Sequence, residues 1–521
     1  MILAVLAALA LTQTRPDDAD MFGGPEEPSV DAGVSAPSVL VPSLPLPSDG
    51  GVSQDIDQLN SGPILSKFDS DEVKSDSLKV GASLLMSAQL FWQEGKEFKQ
   101  GSINTPFILD TYIDGRPNDR LRAFAVGRLQ FDPTRPISTG TSTTTSTSDT
   151  GSSTVGLTPA SATNPSVFLD QLWLRFDVAR AVYFTVGRQK VRWGVSRIWY
   201  PTDFLNSQPR DALNPFDVRL GVNMIKAHMP IESLGWNFYA YGLLDGINLT
   251  GTGETLEQLG GAVRGEFVLG PAELSVSGVW QKGRRPRYAA DISTSLGPID
   301  VYAEAAFRSA ADFLKFRTPD DLTDTNFLSR VGDIEAYRPS GFFVQLSGGL
   351  SWQFNYTDKN TGILGVEYFY NPAGYQNPVE YQVQTFMPSF VGQRPDPIQQ
   401  VSLYGGRHNI AISLTAPGIP EFPWITVNLS NIVIINDPAG LTRLDVSFRV
   451  LTYLTVQVFG SVFYGQTGGQ LRFKLSDQVI NDVASASEAT SPGSGAGVRN
   501  NLRTLRYPAL VQAGVLLRVS I

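Results

Sequence analysis

Apolar and polar side chains alternate with a period of two from residue 79 to the end of the chain. In residues 299–308 (IDVYAEAAFR), for example, the odd positions are apolar and the even positions are mostly polar. The same split recurs in residues 120–131, 272–282, 342–354 and 509–521. Successive side chains of a strand point to opposite faces, so this period predicts β-strands, whereas a helix would show a period near 3.6.

Two environments produce such alternation: a soluble sandwich, which buries the apolar face, and a transmembrane barrel, which exposes it to lipid. The length of the runs, about ten residues, matches a tilted strand across a bilayer. Tyrosine and tryptophan occur at run ends, as in WYP, YFYN and SWQFNY, where membrane interfaces hold aromatic girdles. The links between runs alternate between short and long. We therefore expect an all-β, transmembrane antiparallel β-barrel.

The barrel should contain about eighteen strands, with sixteen as the alternative. Short links predict periplasmic turns and long links predict outer loops, as in outer-membrane barrels of Gram-negative bacteria. Both ends of the barrel then lie on the periplasmic side. The predicted strands are near residues 79–92, 103–113, 119–131, 167–178, 181–192, 222–231, 235–245, 256–269, 271–282, 286–295, 299–308, 341–355, 361–370, 400–415, 423–435, 440–450, 454–465 and 508–521.

The chain before the barrel has a different composition. Residues 1–15 begin with the apolar run MILAVLAALA, which predicts a signal peptide. Residues 16–78 contain 13 acidic residues and two lysines, and their net charge of −11 exceeds the −9 of the whole chain. We expect a disordered, acidic, Pro/Ser-rich periplasmic tail before the barrel of residues 79–521, because such a segment cannot bury a core. It is either a solvated linker or a docking segment for a periplasmic partner.

The composition excludes several kinds of chemistry. The chain has no cysteine, which rules out disulfides, zinc–thiolate centres and thiol nucleophiles. The only histidines are His228 and His408, too few for a multi-histidine metal centre. By strand parity His408 faces lipid, and no nucleophile motif accompanies the inward-facing His228. We therefore expect no catalytic residue, no metal, no cofactor and no nucleic-acid partner, and we do not expect an enzyme.

The inward face of the predicted barrel carries both signs of charge, with a modest excess of basic residues. One interpretation is a wet interior lined by ordinary cross-strand pairs; the other is a conduit whose arginines bind carboxylates and sulfates. The inward acids are Asp177, Glu266, Glu273, Asp291, Asp300, Glu304, Glu367 and Asp445. The inward bases are Arg120, Arg122, Arg128, Arg175, Lys226, Arg264, Arg287, Arg308, Arg407, Arg443, Arg449 and Arg518.

One long link differs from the others because it is rich in arginine, tryptophan and proline rather than in glycine and serine. Its prolines stiffen the chain, and its apolar side chains require burial, which the barrel mouth can provide. We expect residues 193–221 to fold into the lumen as a constriction. The candidate pore-lining residues are Arg120, Arg122, Arg128, Arg175, Arg188, Arg192, Trp193, Arg197, Trp199, Arg210, Asp217, Arg219 and Lys226.

The direction of the first basic side chains in this link is open. Arg188, Lys190 and Arg192 share strand parity with the apolar Val182. Either they lie above the membrane edge, or a bulge at Gly187 turns them inward.

The strings VGRQKVRWG and, after a loop, NPFDVRLG resemble the Gly-Arg-Gln … Phe-Asp-x-Val-Arg pattern of alginate-export-type outer-membrane barrels. That family consists of eighteen-stranded polysaccharide-secretion porins. The resemblance covers residues 187–221 and implies that the arginines of this link contact an anionic sugar chain. The mixed charge of the predicted lumen fits a strongly anionic polymer poorly.

Three functions are compatible with these patterns. An export channel for a polysaccharide would bind the passing exopolysaccharide chain through arginine and aromatic side chains, and would work with a periplasmic polysaccharide-export protein. A general or substrate-selective diffusive porin for small solutes would work alone. A scaffold barrel of an envelope machine would use the acidic tail for docking. We predict the export channel, embedded in outer-membrane lipid, with the porin as the alternative.

Overall fold

Long antiparallel strands follow one another along most of the chain. Their sequences are rich in β-branched and aromatic residues, which fit a pleated sheet. The computed structural model describes residues 77–521 except 136–163, 207–212, 214–218, 245–258, 283, 311–314, 318, 320–332, 359, 391–404, 491–495, 497–498 and 500–505. Residues 1–76, with the predicted signal peptide and nearly all of the acidic tail, lie outside the described residues.

Twenty-one strands and two α-helices occur in the described part of the chain, together with single 3-10 turns at Phe98–Gln100 and Glu232–Leu234. The first twelve strands are β1 (Leu78–Gln93), β2 (Ser102–Asn104), β3 (Phe107–Asn118), β4 (Leu121–Phe131), β5 (Ser166–Val178), β6 (Val182–Gln189), β7 (Val222–Ile231), β8 (Trp236–Leu243), β9 (Gly260–Leu269), β10 (Ala272–Gln281), β11 (Arg287–Leu296) and β12 (Ile299–Ser309). The remaining elements are β13 (Lys315–Arg317), β14 (Glu335–Tyr337), β15 (Phe342–Asn355), β16 (Thr361–Tyr370), α1 (Pro378–Phe390), β17 (His408–Ile419), β18 (Phe422–Ile434), β19 (Ala439–Leu451), β20 (Leu454–Gly465), α2 (Asp477–Thr490) and β21 (Ala509–Ser520).

Eighteen of these strands form a closed wall in which each strand runs antiparallel to the next. Leu84 of β1 lies opposite Leu109 of β3 on one side and opposite Val519 of β21 on the other, which closes the sheet. The short β2 pairs with the end of β1, and β13 pairs with β14 in a separate two-stranded sheet. The predicted eighteen-stranded barrel is confirmed. Closure removes the unpaired strand edges that a bilayer would not tolerate.

The two faces of the wall have opposite polarity. On β12, Val301 and Phe307 are exposed on the outside, whereas Tyr302, Glu304 and Arg308 are buried on the inside. Exposed apolar side chains recur around the barrel, for example Val167, Leu172, Val263, Ile292, Leu350 and Val458. An apolar outer surface of this extent requires a cover of lipid. The barrel therefore lies in the outer membrane of a Gram-negative bacterium, the membrane in which closed barrels of this kind are found.

Short turns and long links lie at opposite rims of the barrel, and we call the rim with the long links the outer rim. Some strand ends differ from the prediction. β3 runs to Asn118 rather than 113, and a register shift after Gly115 accommodates Pro117. β17 begins at His408 rather than at residue 400. Within the described ranges, neither helix has the length and apolar character needed to cross a bilayer.

Candidate constriction site

Residues 190–206 leave the wall after β6 and turn into the lumen. Gly187 lies just before this departure, with a φ of +125°, and a Cβ there would be 2.2 Å from the carbonyl oxygen of Leu172. A side chain does not fit, so this position requires glycine. Trp193, Trp199 and Phe204 are almost completely buried in the turn inward. We name residues 190–206 the constriction segment.

Glu304 of β12 is the first anchor of the constriction segment. Its Oε1 accepts a hydrogen bond from the backbone N–H of Ser196 (2.5 Å), and its Oε2 accepts one from Oγ1 of Thr202 (2.7 Å). Gly194 passes so close that a Cβ would lie 2.5 Å from Oε1 of Glu304. Strands β7 to β11 separate β6 from β12 in the wall. The segment therefore reaches across the lumen to this anchor.

Glu367 of β16 is the second anchor. It accepts hydrogen bonds from the backbone N–H groups of Arg197 (2.8 Å), Ile198 (3.2 Å) and Trp199 (2.8 Å). The hydroxyl of Tyr302 donates a fourth hydrogen bond, at 2.9 Å. Successive N–H groups directed at one carboxyl replace the hydration that it loses on burial. The backbone of the segment is thus held directly to the wall.

Aromatic rings complete the attachment of the segment to this side of the wall. Trp199 stacks on Phe369 with ring centroids 5.7 Å apart and an interplanar angle of 15°. The ring of Phe204 lies near two guanidinium groups, 5.4 Å from Arg287 and 4.8 Å from Arg308. Arg308 also donates to the carbonyl oxygen of Pro201 (2.9 Å). Packing and hydrogen bonds therefore act together along the segment.

Trp193, near the start of the segment, and Asp203, near its end, make further contacts. Trp193 lies edge-on to Tyr241 of β8, with ring centroids 5.5 Å apart. Asp203 pairs with Arg219 (3.2 Å), a contact within the link itself, and accepts hydrogen bonds from Asn206 (2.8 Å). An aspartate of the link is thus neutralised by an arginine of the same link.

Three of the predicted basic residues lie in one row across neighbouring strands. The register places Arg122 of β4 opposite Arg175 of β5, Arg175 opposite Thr185 of β6, and Thr185 opposite Lys226 of β7. All three cations are buried. The next position of the row, on β8, is the tyrosine that contacts Trp193. This basic row therefore borders the constriction segment.

The cations of the row have different partners. Arg122 binds Asp114 through two hydrogen bonds of 2.9 Å, and its guanidinium lies 5.6 Å from the ring of Trp173. Lys226 has its Nζ 4.9 Å from the centre of the Tyr239 ring. Among the described residues, Lys226 makes no ion pair with a carboxylate. It is a buried cation whose contact within the described part of the chain is an aromatic face.

The other predicted wall arginines bind aspartates. Arg120 lies near the short-turn rim and pairs with Asp177 (2.9 Å). Arg128 pairs with Asp110 (2.6 Å) and approaches Asp170 (3.3 Å). These pairs correspond to the interpretation of cross-strand charge pairs.

The structure resolves the direction of the cations after Gly187. β5 and β6 stay in register through Arg188, so no bulge turns it inward, and its Nε donates to the carbonyl oxygen of Gly221 (3.0 Å). Lys190, beyond the end of β6, reaches the buried Asp170 (2.7 Å). Arg192 lies 5.0 Å from the centre of the Tyr200 ring.

Two further predicted residues of the segment are attached to the wall, and two cannot be placed. The guanidinium of Arg197 lies 5.7 Å from the Tyr302 ring and 3.7 Å from Asp300, and Trp199 is stacked as described above. Arg210 and Asp217 lie outside the described residues.

Sequence reasoning did not single out Glu304 and Glu367 as anchors. Both were expected on the inward face. The residues next to a carboxylate in a strand do not predict which distant backbone N–H groups it will bind. A usable signal exists in the pairing. Glu304 lies opposite Asp291 and Ser347, and Glu367 lies opposite glycine and alanine, so neither faces a cation across the sheet. An inward acid without a cross-strand cation needs another donor.

No protein-family model and no curated protein matches the chain. Similar solved structures are outer-membrane barrels. A mutant of the Rh. blastica porin is 11% identical with a TM-score of 0.37, covering 85% of this chain and 100% of the porin. OpdK from Pseudomonas aeruginosa is 7% identical with a TM-score of 0.44, covering 85% and 98%. OccAB4 from Acinetobacter baumannii is 6% identical with a TM-score of 0.44, covering 86% and 99%. Such values do not identify a family or a substrate.

Proposed function

We propose that the protein is a diffusion channel for small solutes across the outer membrane. The constriction segment narrows the passage, and the basic row beside it favours anions. The anchoring of the segment to Glu304 and Glu367 carries this proposal, because a loop held through its backbone to two strands is a fixed element. A fixed narrowing inside a wide barrel admits solutes according to size.

The export of a polysaccharide receives less support from the contacts. A moving sugar chain needs arginine forks that are available to bind its oxygen atoms. Arg120, Arg122 and Arg128, which were expected to supply them, each bind an aspartate of a neighbouring strand. The contacts of these arginines therefore favour the porin, the alternative prediction from the sequence.

The preference for anions rests on Lys226. A buried cation without a carboxylate partner loses hydration that its aromatic neighbour only partly replaces. An anion that passes the constriction supplies the missing charge for the time of its stay, and this lowers its barrier to passage. Arg175 lies in the same row, two strands from Lys226. Small carboxylates and inorganic anions are the solutes that this arrangement suits.

The test is a measurement of the reversal potential of the purified barrel in a planar bilayer under a potassium chloride gradient. We expect the wild type to prefer chloride. Lys226→Gln should lower the chloride-to-potassium permeability ratio roughly threefold, because it removes one of the cations that border the passage. The matched control is Lys99→Gln, which removes an exposed lysine paired with Glu97.

Two results would contradict the proposal. Equal shifts in Lys226→Gln and Lys99→Gln would show that net charge rather than the basic row sets selectivity. If long oligosaccharides entered proteoliposomes as fast as small sugar acids, the export-channel hypothesis would be favoured instead.

A further inference from the structure

A second group of inserted residues fills the lumen beside the outer ends of β16 to β20. Tyr375, from the link before β17, and Leu471, from the link before β21, are buried against the inward-facing Ile434 and Ala439. We name residues 371–377, 405–407, 435–438 and 466–475 the outer cap. The cap packs against the inner face of the wall at the outer end of this sector.

Three links of the cap meet at the carboxyl group of Asp437. The hydroxyl of Tyr375 donates a hydrogen bond to Oδ2 of Asp437 (2.8 Å), and the backbone N–H of Gln470 donates to the Tyr375 hydroxyl (3.4 Å). Oε1 of Gln470 accepts a hydrogen bond from the backbone N–H of Gly405 (2.6 Å). A Cβ added to Gly469 would overlap Oδ2 of Asp437. One side chain from the link 435–438 thus joins the two long links on either side of it.

Asp437 is buried without a cation. Its exposed fraction is 0%, and its Oδ1 makes no well-formed hydrogen bond in the described part of the chain, although the backbone N–H groups of Gln470 and Ala439 lie near the carboxyl group. No lysine or arginine described by the structure forms an ion pair with it. Arg472 instead points to the carbonyl oxygen of Gly465 and to Glu94. The titratable and charged side chains of the surrounding cap elements and α1 are Tyr375, Glu380, Tyr381, Arg407, Arg472 and Lys474.

We propose that Asp437 is a protonation-controlled latch of the outer cap. The neutral acid fits the buried site and holds the three links together, whereas the carboxylate, lacking a cation, favours exposure to water and releases them. The cap shares one apolar cluster with Trp199 and Phe369. Release of the cap therefore removes packing from the end of the constriction segment that lies on β16.

The direction of the pH dependence follows from the two states of the cap. Burial raises the pKa of Asp437 to about 6 in the closed cap, above its ordinary value of 3.8. The closed cap therefore binds the proton more tightly than the open cap. Its advantage is full below about pH 4, declines between about pH 4 and 6, and stays low at higher pH. The closed-to-open ratio should fall roughly 100-fold across this range.

Hydrogen exchange of the full-length barrel in detergent tests the latch. Peptides that cover residues 371–377 and 466–475 are compared between the wild type and Asp437→Asn at the same pH, so that the intrinsic pH dependence of exchange cancels. Asp437→Asn imitates the protonated acid and should stay protected at pH 7, where the wild type exchanges up to roughly 100-fold faster. The control is Asp477→Asn, which changes an exposed carboxylate of α2 that pairs with Arg506.

A second variant covers the case in which Asp437→Asn does not fold. Gly469→Ala pushes the carboxyl group out of its site and should leave the cap unprotected at every pH. Equal exchange of the wild type and Asp437→Asn at pH 7, or a protected cap in Gly469→Ala, would overturn the latch. A channel whose conduction does not change with pH would also refute the latch but leave the diffusion channel standing. Absence of conduction at every pH would refute the channel, and the exchange data would still decide on the latch.

Discussion

The constriction segment and the outer cap both place buried aromatic rings in the lumen, but they satisfy their buried carboxyl groups differently. Glu304 and Glu367 receive hydrogen bonds from several backbone N–H groups and hydroxyls. Asp437 receives one from Tyr375, and its Oδ1 makes no well-formed hydrogen bond among the described residues, although the N–H groups of Gln470 and Ala439 lie near the carboxyl group.

This difference separates a fixed element from a conditional one. Where several backbone donors converge on a carboxyl group, removal of that group leaves them all without an acceptor, so the group itself is indispensable. Where one hydroxyl meets a carboxyl group in an apolar site, the proton decides whether burial is tolerated. The constriction segment is therefore held to each anchor by several donors, whereas the cap is held to its anchor by one hydroxyl and, in the proposed latch, by the protonation of that anchor.

The largest effect is expected for Glu367→Ala. It leaves three backbone N–H groups of the segment without an acceptor, and each such loss costs about 1–3 kcal/mol in a buried site. The segment should detach from β16, and the single-channel conductance should rise severalfold. Glu367→Gln keeps one acceptor oxygen and should give an intermediate value. Identical conductance in all three proteins would mean that the segment is not held at this point.

Gly194→Ala should disturb the constriction segment and leave the cap unchanged. Gly194 has a φ of +100°, and its Cβ would lie 2.5 Å from Glu304, so we expect a loss of about 1–3 kcal/mol in stability. The loss is measured by thermal unfolding, and exchange of residues 466–475 reports on the cap. Gly460→Ala is the matched control, because nothing lies within 4 Å of its Cβ. Equal stability of the two variants would argue against a tight approach at Glu304.

The smallest effect is expected for Tyr375→Phe, which acts on the cap alone. Loss of the hydroxyl should weaken the closed cap by about 1 kcal/mol. The pKa of Asp437 should rise further, because its ionised form loses its hydrogen-bond donor, so the decline in cap protection should extend above pH 6. Hydrogen exchange from pH 4 to 8 measures this shift. Tyr453→Phe, at the opposite rim, is the control, and an unchanged profile in Tyr375→Phe would exclude its hydroxyl from the latch.

The strands of the barrel wall could be predicted from the sequence because the pattern that marks them lies within each strand. Each strand separates lipid from a polar interior, so every second side chain reports its own environment. The eighteen strands follow from this pattern, whereas strand ends such as Asn118 and His408 were less accurate, because pairing with neighbours extends a strand beyond its alternating core. The disordered tail of residues 16–78 remains a prediction.

The content of the link 187–221 also pointed to burial, since its tryptophans and prolines suit a packed loop better than a solvated one. The sequence did not predict which residues of the barrel wall bind this link. Ser196 lies 108 positions before Glu304, and Arg197 lies 170 positions before Glu367. Only closure of the barrel and the register of its strands bring these groups together.

Local alternation and composition thus determined the strands, their two faces and the unusual link. The tertiary structure decided which buried carboxyl groups receive several backbone hydrogen bonds and which one, Asp437, keeps an oxygen without a well-formed hydrogen bond in the described part of the chain. The physical reason is that hydrophobic period is a property of neighbouring residues, whereas the hydration lost by a carboxyl group, and the donors that replace it, depend on chain segments brought together by closure.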